Sequence, residues 1–170
     1  MIISYMKYQQ NKTKGFSLLE SIVYIAILSI MTVMIINILS STANSYSTLR
    51  LARGLNNSAI TSLERMTREI KSADDISIAN STFDTNPGRL TVNIGTTTRE
   101  FYIDTSVLKI KENDVDKGAL TRDGVSVDNL VFRNLNNGTS KAVRIEMTLS
   151  GIYKNATTTK TFYSFAVLRN

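Results

Sequence analysis

Lys14-Gly15-Phe16-Ser17-Leu18-Leu19-Glu20 joins a short basic leader to a long apolar run and sets one carboxylate inside that run. From Phe16 to Leu39 the chain reads FSLLESIVYIAILSIMTVMIINIL, and no charged residue lies between Glu20 and Arg50. As a helix rising about 1.5 Å per residue, this stretch covers roughly 36 Å, enough to cross the hydrocarbon core of a bilayer. Its β-branched residues, Ile22, Val23, Ile25, Ile27, Ile30, Val33, Ile35 and Ile36, weaken a helix in water. In lipid the backbone must satisfy its own hydrogen bonds, so the helix wins. Glu20 is the anomaly. A charge at the centre of a membrane helix costs roughly 3 kcal/mol, less near an end, and normally has a partner. One reading leaves it ionised and wet at the headgroup level; a sharper one follows from what precedes it.

Lys7, Lys12 and Lys14 make the leader positive with no acid, which holds the N-terminus in the cytoplasm. Cutting after Gly15 leaves a new α-amine on Phe16, one helical turn before Glu20. In low dielectric an amine and a carboxylate attract strongly, and a staggered neighbouring helix supplies the pairing that lipid cannot. The stretch Lys14 to Glu20 followed by an unbroken apolar helix resembles the class III signal of type IV pilins and type II secretion pseudopilins. That resemblance implies a cut between Gly15 and Phe16 by a prepilin peptidase, N-methylation of Phe16, and Glu20 as the residue that pairs with a neighbouring subunit's N-terminus during assembly. It also implies an assembly platform protein, an ATPase and other pilin or pseudopilin subunits as partners, with membrane lipid around the stem before assembly. The proline that many pilin stems carry has no counterpart here.

The 42% hydrophobic and 20% charged content of 170 residues fits one modest globular domain with an appendage. No cysteine and no histidine occur. Disulfides, thiol nucleophiles, Cys/His zinc sites and histidine-based triads are therefore excluded, and no cofactor is expected. The formal charge of +6 is unevenly spread: +3 in the leader, −1 over 16–43, +3 over 44–73 and +1 over 74–170. Arg50, Arg53, Arg65, Arg68 and Lys71 carry the excess that remains in the mature chain, against Glu64 and Glu69. As phosphate contacts they would suggest DNA, but no aromatic interleaving or nucleic-acid motif accompanies them, so a solvated helix face is preferred and nucleic acid is not an expected partner.

In 44–73, Ala52, Leu55, Ala59, Leu63, Met66, Ile70 and Ala73 recur at spacings of three and four and draw one apolar stripe. Glu64 and Arg68 form an i, i+4 pair, and Gly54, Asn56 and Asn57 lower helix propensity, so a bend is expected there. Asp74-Asp75 stops the helix, and Asn80 to Gly88 is a loop with the chain's one proline, Pro87.

Beyond it the period changes to two. Arg89 to Ile94, Arg99 to Asp104, Val107 to Lys111, Ala119 to Arg122, Val125 to Leu135, Ala142 to Leu149 and Thr161 to Leu168 read as strands. Val125, Val127, Leu130 and Phe132 form one predicted buried set, and Val143, Ile145, Met147 and Leu149 a second. Phe162, Tyr163, Phe165 and Val167 suggest a last strand buried on both faces. The expected fold is α+β: a long N-terminal α-helix, anchor then amphipathic spine, packed against a C-terminal antiparallel β-sheet head, as in pilins. The expected organisation is a leader over 1–15, a membrane or filament-core helix over 16–43, an amphipathic helix over 44–73 and a β-rich head over 74–170. The strand order of the head resembles minor pilins and J-type minor pseudopilins.

Glu112 to Gly118 places oxygen ligands at alternate positions, as a calcium loop does, but lacks the terminal acidic clamp and carries Lys117; a polar turn is preferred and no metal is expected. Gly138-Thr139-Ser140-Lys141 is too short for a phosphate loop. The expectation is a structural subunit and no enzyme. It would be held in the bacterial inner membrane by a single pass, with its N-terminus cytoplasmic and its head outside, and later drawn into a pilus or pseudopilus. Three alternatives stand beside it: a pilus-tip module binding DNA or surfaces, a β-domain released by a conventional signal peptidase after Ala43, and a simply anchored envelope protein.

Overall fold

The computed structural model describes residue 15 and residues 17–136, 140–154 and 156–168. The chain divides between Thr42 and Ala43 into two compact units. One helix, α1 (Leu18–Ser72), contributes to both. The Ser21 N–H donates to the Ser17 carbonyl at 3.2 Å, which makes Ser17 the N-cap and closes the first turn. The helix is unbroken through Gly54, Asn56 and Asn57, so the expected bend is absent. Tertiary contacts hold those residues helical: Asn56 Oδ1 accepts from Lys160 Nζ at 3.4 Å, and Leu55 and Ser58 on either side are buried.

In the first unit, the helix is exposed on every side, its residues including Ile22, Ile25, Leu28, Met31, Met34, Ile35 and Ile38. A helix apolar all round belongs in lipid or among other such helices. Three of its hydroxyls are turned inward to its own backbone: Ser29 donates to the Ile25 carbonyl, Thr32 to Leu28 and Thr42 to Ile38, each at 2.8 Å. That arrangement removes polar groups from an apolar surrounding.

In the second unit the helix buries one face, Leu51, Leu55, Ser58, Ala59, Ser62, Met66, Glu69 and Ile70. The predicted stripe is present, with Ala52 and Leu63 at its margins and two serines and a glutamate inside it. Each polar member has a partner. Ser62 donates to the Leu120 carbonyl at 2.9 Å, and Ser58 Oγ accepts from the Arg122 N–H at 3.3 Å. Glu69, with a side chain 5% exposed, is bracketed by Arg65 at 2.8 Å and by Arg99, which also reaches Glu112 at 3.3 Å. A buried carboxylate stripped of such partners costs about 3–5 kcal/mol, so this cluster fixes the helix against the strand that carries Arg99.

Among the described residues eight strands form two antiparallel sheets where one was expected. The first holds β1 (Asp75–Ile76), β2 (Leu90–Ile94), β3 (Thr97–Asp104), β4 (Val107–Glu112) and β5 (Val115–Ala119) in chain order. The second holds β6 (Val125–Asn134), β7 (Ala142–Tyr153) and β8 (Ala156–Val167). Both predicted buried sets lie in the core with Leu90, Val92, Phe101 and Leu108. The loop before β2 stitches the sheets together. Thr82 bridges to Arg89 beside β2, while the Gly88 N–H donates to Leu130 O at 2.8 Å and the Asp84 N–H to Phe132 O at 2.9 Å on β6. Gly88 is required there, because a Cβ would lie 2.8 Å from Leu130 O.

Two expectations are corrected. Ala119 to Arg122 is no strand beyond Ala119; Val115–Ala119 pairs with β4 instead. Leu120 crosses between the sheets, its N–H on Leu108 O at 2.7 Å. The last strand is buried on one face only: Ala166 is buried and Phe162 partly so, whereas Tyr163, Phe165 and Val167 face outward, because β8 is the edge of its sheet with no layer over its outer side. Arg50, Arg53, Arg65, Arg68 and Lys71 are all exposed, as a solvated helix face requires, and Arg65 and Arg68 are further tied to Glu69 and Glu64. The turn that Asn136-Asn137-Gly138-Thr139 suggests by its residue types falls largely on 137–139, outside the described residues; β6 and β7 flank it.

Tight hairpin turns carry backbone strain. Thr105 and Ser106 join β3 to β4 with φ of 49° and 62°. Two residues at positive φ make a type I′ turn, which suits Asn-Gly and penalises a β-branched residue. Replacing Thr105-Ser106 by Asn-Gly is expected to stabilise the head by about 1–2 kcal/mol in urea unfolding of the detergent-solubilised chain; an unchanged or lower midpoint would refute the strain.

Exposed carboxylates are held low. The Lys141 ammonium, then the Ile76 N–H, depress Asp75; Lys109, then Thr105, depress Asp104; the Gly118 N–H, then Lys109, depress Asp116. Asp104 correspondingly raises Lys109. A depressed carboxylate stabilises the fold above its unfolded value of about 3.9, and that contribution is lost as pH falls through the folded value. A raised lysine acts oppositely, its contribution being lost only at alkaline pH. Head stability is therefore expected to fall as pH drops below about 4, with Lys109→Ala making the fall shallower and salt weakening both effects. An acid limb as steep in the variant as in the parent would contradict this assignment.

Candidate functional site

Of the residues singled out at the N-terminal junction, Lys7, Lys12, Lys14 and Phe16 lie outside the described residues. Gly15 is exposed, and an added Cβ there meets no atom within 4 Å. Among the described residues no packing requires glycine at that position.

Glu20 lies in the first turn of α1, exposed among Leu18, Leu19 and Val23. Its position suits the positive end of the helix dipole. Tyr24, one turn further on, donates its hydroxyl to Glu20 Oε1 at 3.3 Å. Sequence reading had not paired them, although the i, i+4 spacing carries the signal. A carboxylate offers about four lone-pair sites, so this one bond leaves capacity for a cationic partner. Chemically the site is an acceptor of charge-assisted hydrogen bonds set in an apolar surface, suited to binding an ammonium group.

Residues 10–36 match the family model for the prokaryotic N-terminal methylation motif. The chain carries the signal of a type IV pilin or pseudopilin precursor. The match spans residues 10–15, the Gly15–Phe16 junction, Glu20 and the first turns of the apolar helix, so sequence motif and exposed membrane-length helix agree. The precursor is anchored in a membrane through that helix. No curated protein and no solved structure matches the chain.

The remaining candidates lie elsewhere. Among the described residues no three His, Cys, Asp or Glu side chains gather as a metal site. Glu112 to Gly118 spans the β4–β5 hairpin, turning at Asn113 and Asp114 with φ of 50° and 65°; Asn113 Oδ1 accepts from the Thr98 N–H and Asp116 from the Gly118 N–H. Those oxygens serve the turn.

Proposed function

We propose that the precursor is a structural subunit of a helical filament, of the type IV pilus or type II secretion pseudopilus kind, and does no enzymatic chemistry of its own. The observation that carries this reading is Glu20: a carboxylate one turn beyond a methylation-type junction, on a helix whose whole surround is apolar. A peptidase hydrolyses the Gly15–Phe16 bond, the freed amine is methylated, and Lys7, Lys12 and Lys14 leave with the leader. An assembly ATPase and platform protein then draw the stem out of lipid. Glu20 takes the Phe16 amine of an adjacent subunit, while the apolar stems bury one another. Lipid is as apolar as a neighbouring stem, so transfer itself contributes little; the ion pair supplies register and selectivity. The double-sheet head supports a low-copy, minor subunit that starts or caps a fibre.

Glu20→Ala is expected to be processed like the parent and to enter filaments at least about tenfold less often, because an unpaired amine is left in the apolar core. Immunoblotting of membrane and sheared-filament fractions reads both quantities. Normal incorporation of the alanine variant would remove Glu20 from assembly.

A further inference from the structure

The arginines of the head divide into two groups. Arg65, Arg68, Arg89, Arg99 and Arg133 are each ion-paired with a carboxylate. Arg50, Arg53, Arg122 and Arg144 have no carboxylate partner among the described residues, and three of these four line one groove. That groove, of about 410 Å³, lies wholly within the second unit, between the start of its helical segment and the β5–β6 and β7–β8 connections. Arg50 and Arg53 come from successive positions on one helix face, and Arg122 from the opposite wall. Asp123 is the one acid in the lining. Arg50 is steered by Tyr153, whose ring it overlies at 5.0 Å and whose hydroxyl it meets at 3.1 Å. Three guanidinium groups are gathered here against a single carboxylate, a surplus of like charge that favours the entry of an anion.

The rim has a different character. Tyr46, Leu49 and Ile152 are 66%, 58% and 73% exposed. Exposed apolar and aromatic groups around a basic cleft match the layer where a membrane meets water, in which tyrosine rings sit at headgroup level and arginines reach phosphate. Covalent connection places the groove near that layer. Tyr46 follows Leu39, the last residue of the apolar run, by seven positions, so the chain holds it within about 25 Å of the segment's end however it is arranged.

We propose that this groove binds the phosphate of an anionic phospholipid headgroup, with Arg53 and Arg122 as the primary ligands, Arg50 supporting them, and Tyr46, Leu49 and Ile152 seated at the acyl boundary. Guanidinium forks suit a phosphate geometrically, and a cleft of this size admits a glycerophosphate headgroup. The head of the waiting precursor would thus be held on the membrane surface by a second contact, released when the subunit is withdrawn into a filament. The proposal rests on the membrane-anchored reading but not on filament assembly.

The test uses the full chain in nanodiscs of phosphatidylcholine with a minor fraction of phosphatidylglycerol. Either lipid is supplied with a photoreactive headgroup, and a further lipid carries the group in its acyl chain; cross-links are mapped by mass spectrometry. Headgroup-labelled phosphatidylglycerol is expected to mark 43–57 and 120–127 at least about fivefold more than the phosphatidylcholine probe, roughly the effect of one basic residue at a membrane surface. Arg53→Gln with Arg122→Gln should abolish the preference, and Arg53→Lys with Arg122→Lys should keep part of it. Acyl-chain labelling of 18–42 with equal or no headgroup labelling of the groove would overturn the lipid site while leaving the anchor standing. Absence of acyl-chain labelling over 18–42 would overturn the anchor and the proposal together. Displacement of the phosphatidylglycerol cross-link by dilute oligodeoxynucleotide or inorganic phosphate would make the groove a soluble-phosphate or nucleic-acid site and overturn the proposal.

Discussion

A helix that is apolar on every side cannot be left in water, and the account of this precursor follows from that constraint. Every residue of α1 from Leu18 to Thr42 is exposed. At roughly 25 cal/mol per Å² of apolar surface, leaving so many large side chains hydrated would outweigh the stability of a modest domain. The segment therefore needs lipid or neighbouring helices, and its hydroxyls, bonded back to Ile25, Leu28 and Ile38, suit either surrounding. Only Glu20 is at odds with both. Its bond from Tyr24 moderates the conflict without removing it, since a neutral hydroxyl does not cancel a charge. On the proposed filament reading, a residue costly in lipid and valuable beside a cation lets a subunit distinguish assembly from storage.

The same helix meets the opposite requirement past Ala43, where it becomes the spine of a packed domain. Its buried face is not purely apolar, and the polar members do the aligning. Ser58 and Ser62 hold the Leu120 to Arg122 crossover, while Glu69 gathers Arg65 and Arg99. Leu51 and Leu55 lie against Gly151, where a Cβ would come within 2.9 Å of Leu51 Cδ1, so β7 approaches the helix as closely as backbone allows. Hydrophobic burial supplies the bulk of the stability without specifying direction; these contacts set the helix's rotation and height on the sheets.

Local pattern made much of this legible. The membrane-length run, the N-terminal signal, the apolar stripe and both buried sets of β6 and β7 were readable because each expresses one period over many residues. What escaped depends on long-range pairing. Val115–Ala119 is exposed at every position and pairs with β4 alone, so no apolar alternation announces it. Tyr163 and Phe165 look like core residues by type, yet whether a layer covers them depends on sheet order, which hairpins do not fix. Ser58, Ser62 and Glu69 are invisible to apolar periodicity because their burial is licensed by partners distant in sequence. Local pattern likewise does not separate Arg65 and Arg68, which pair with Glu69 and Glu64, from Arg50 and Arg53, which line a groove.

The central claim is that this chain is made as a precursor and matured at the junction between Gly15 and Phe16. Intact-mass measurement and N-terminal sequencing of the protein purified from its native membranes test it most directly. The account predicts a chain beginning at N-methylated Phe16. A chain beginning at Asn44, or an intact Met1, would contradict it and leave Glu20 without a role.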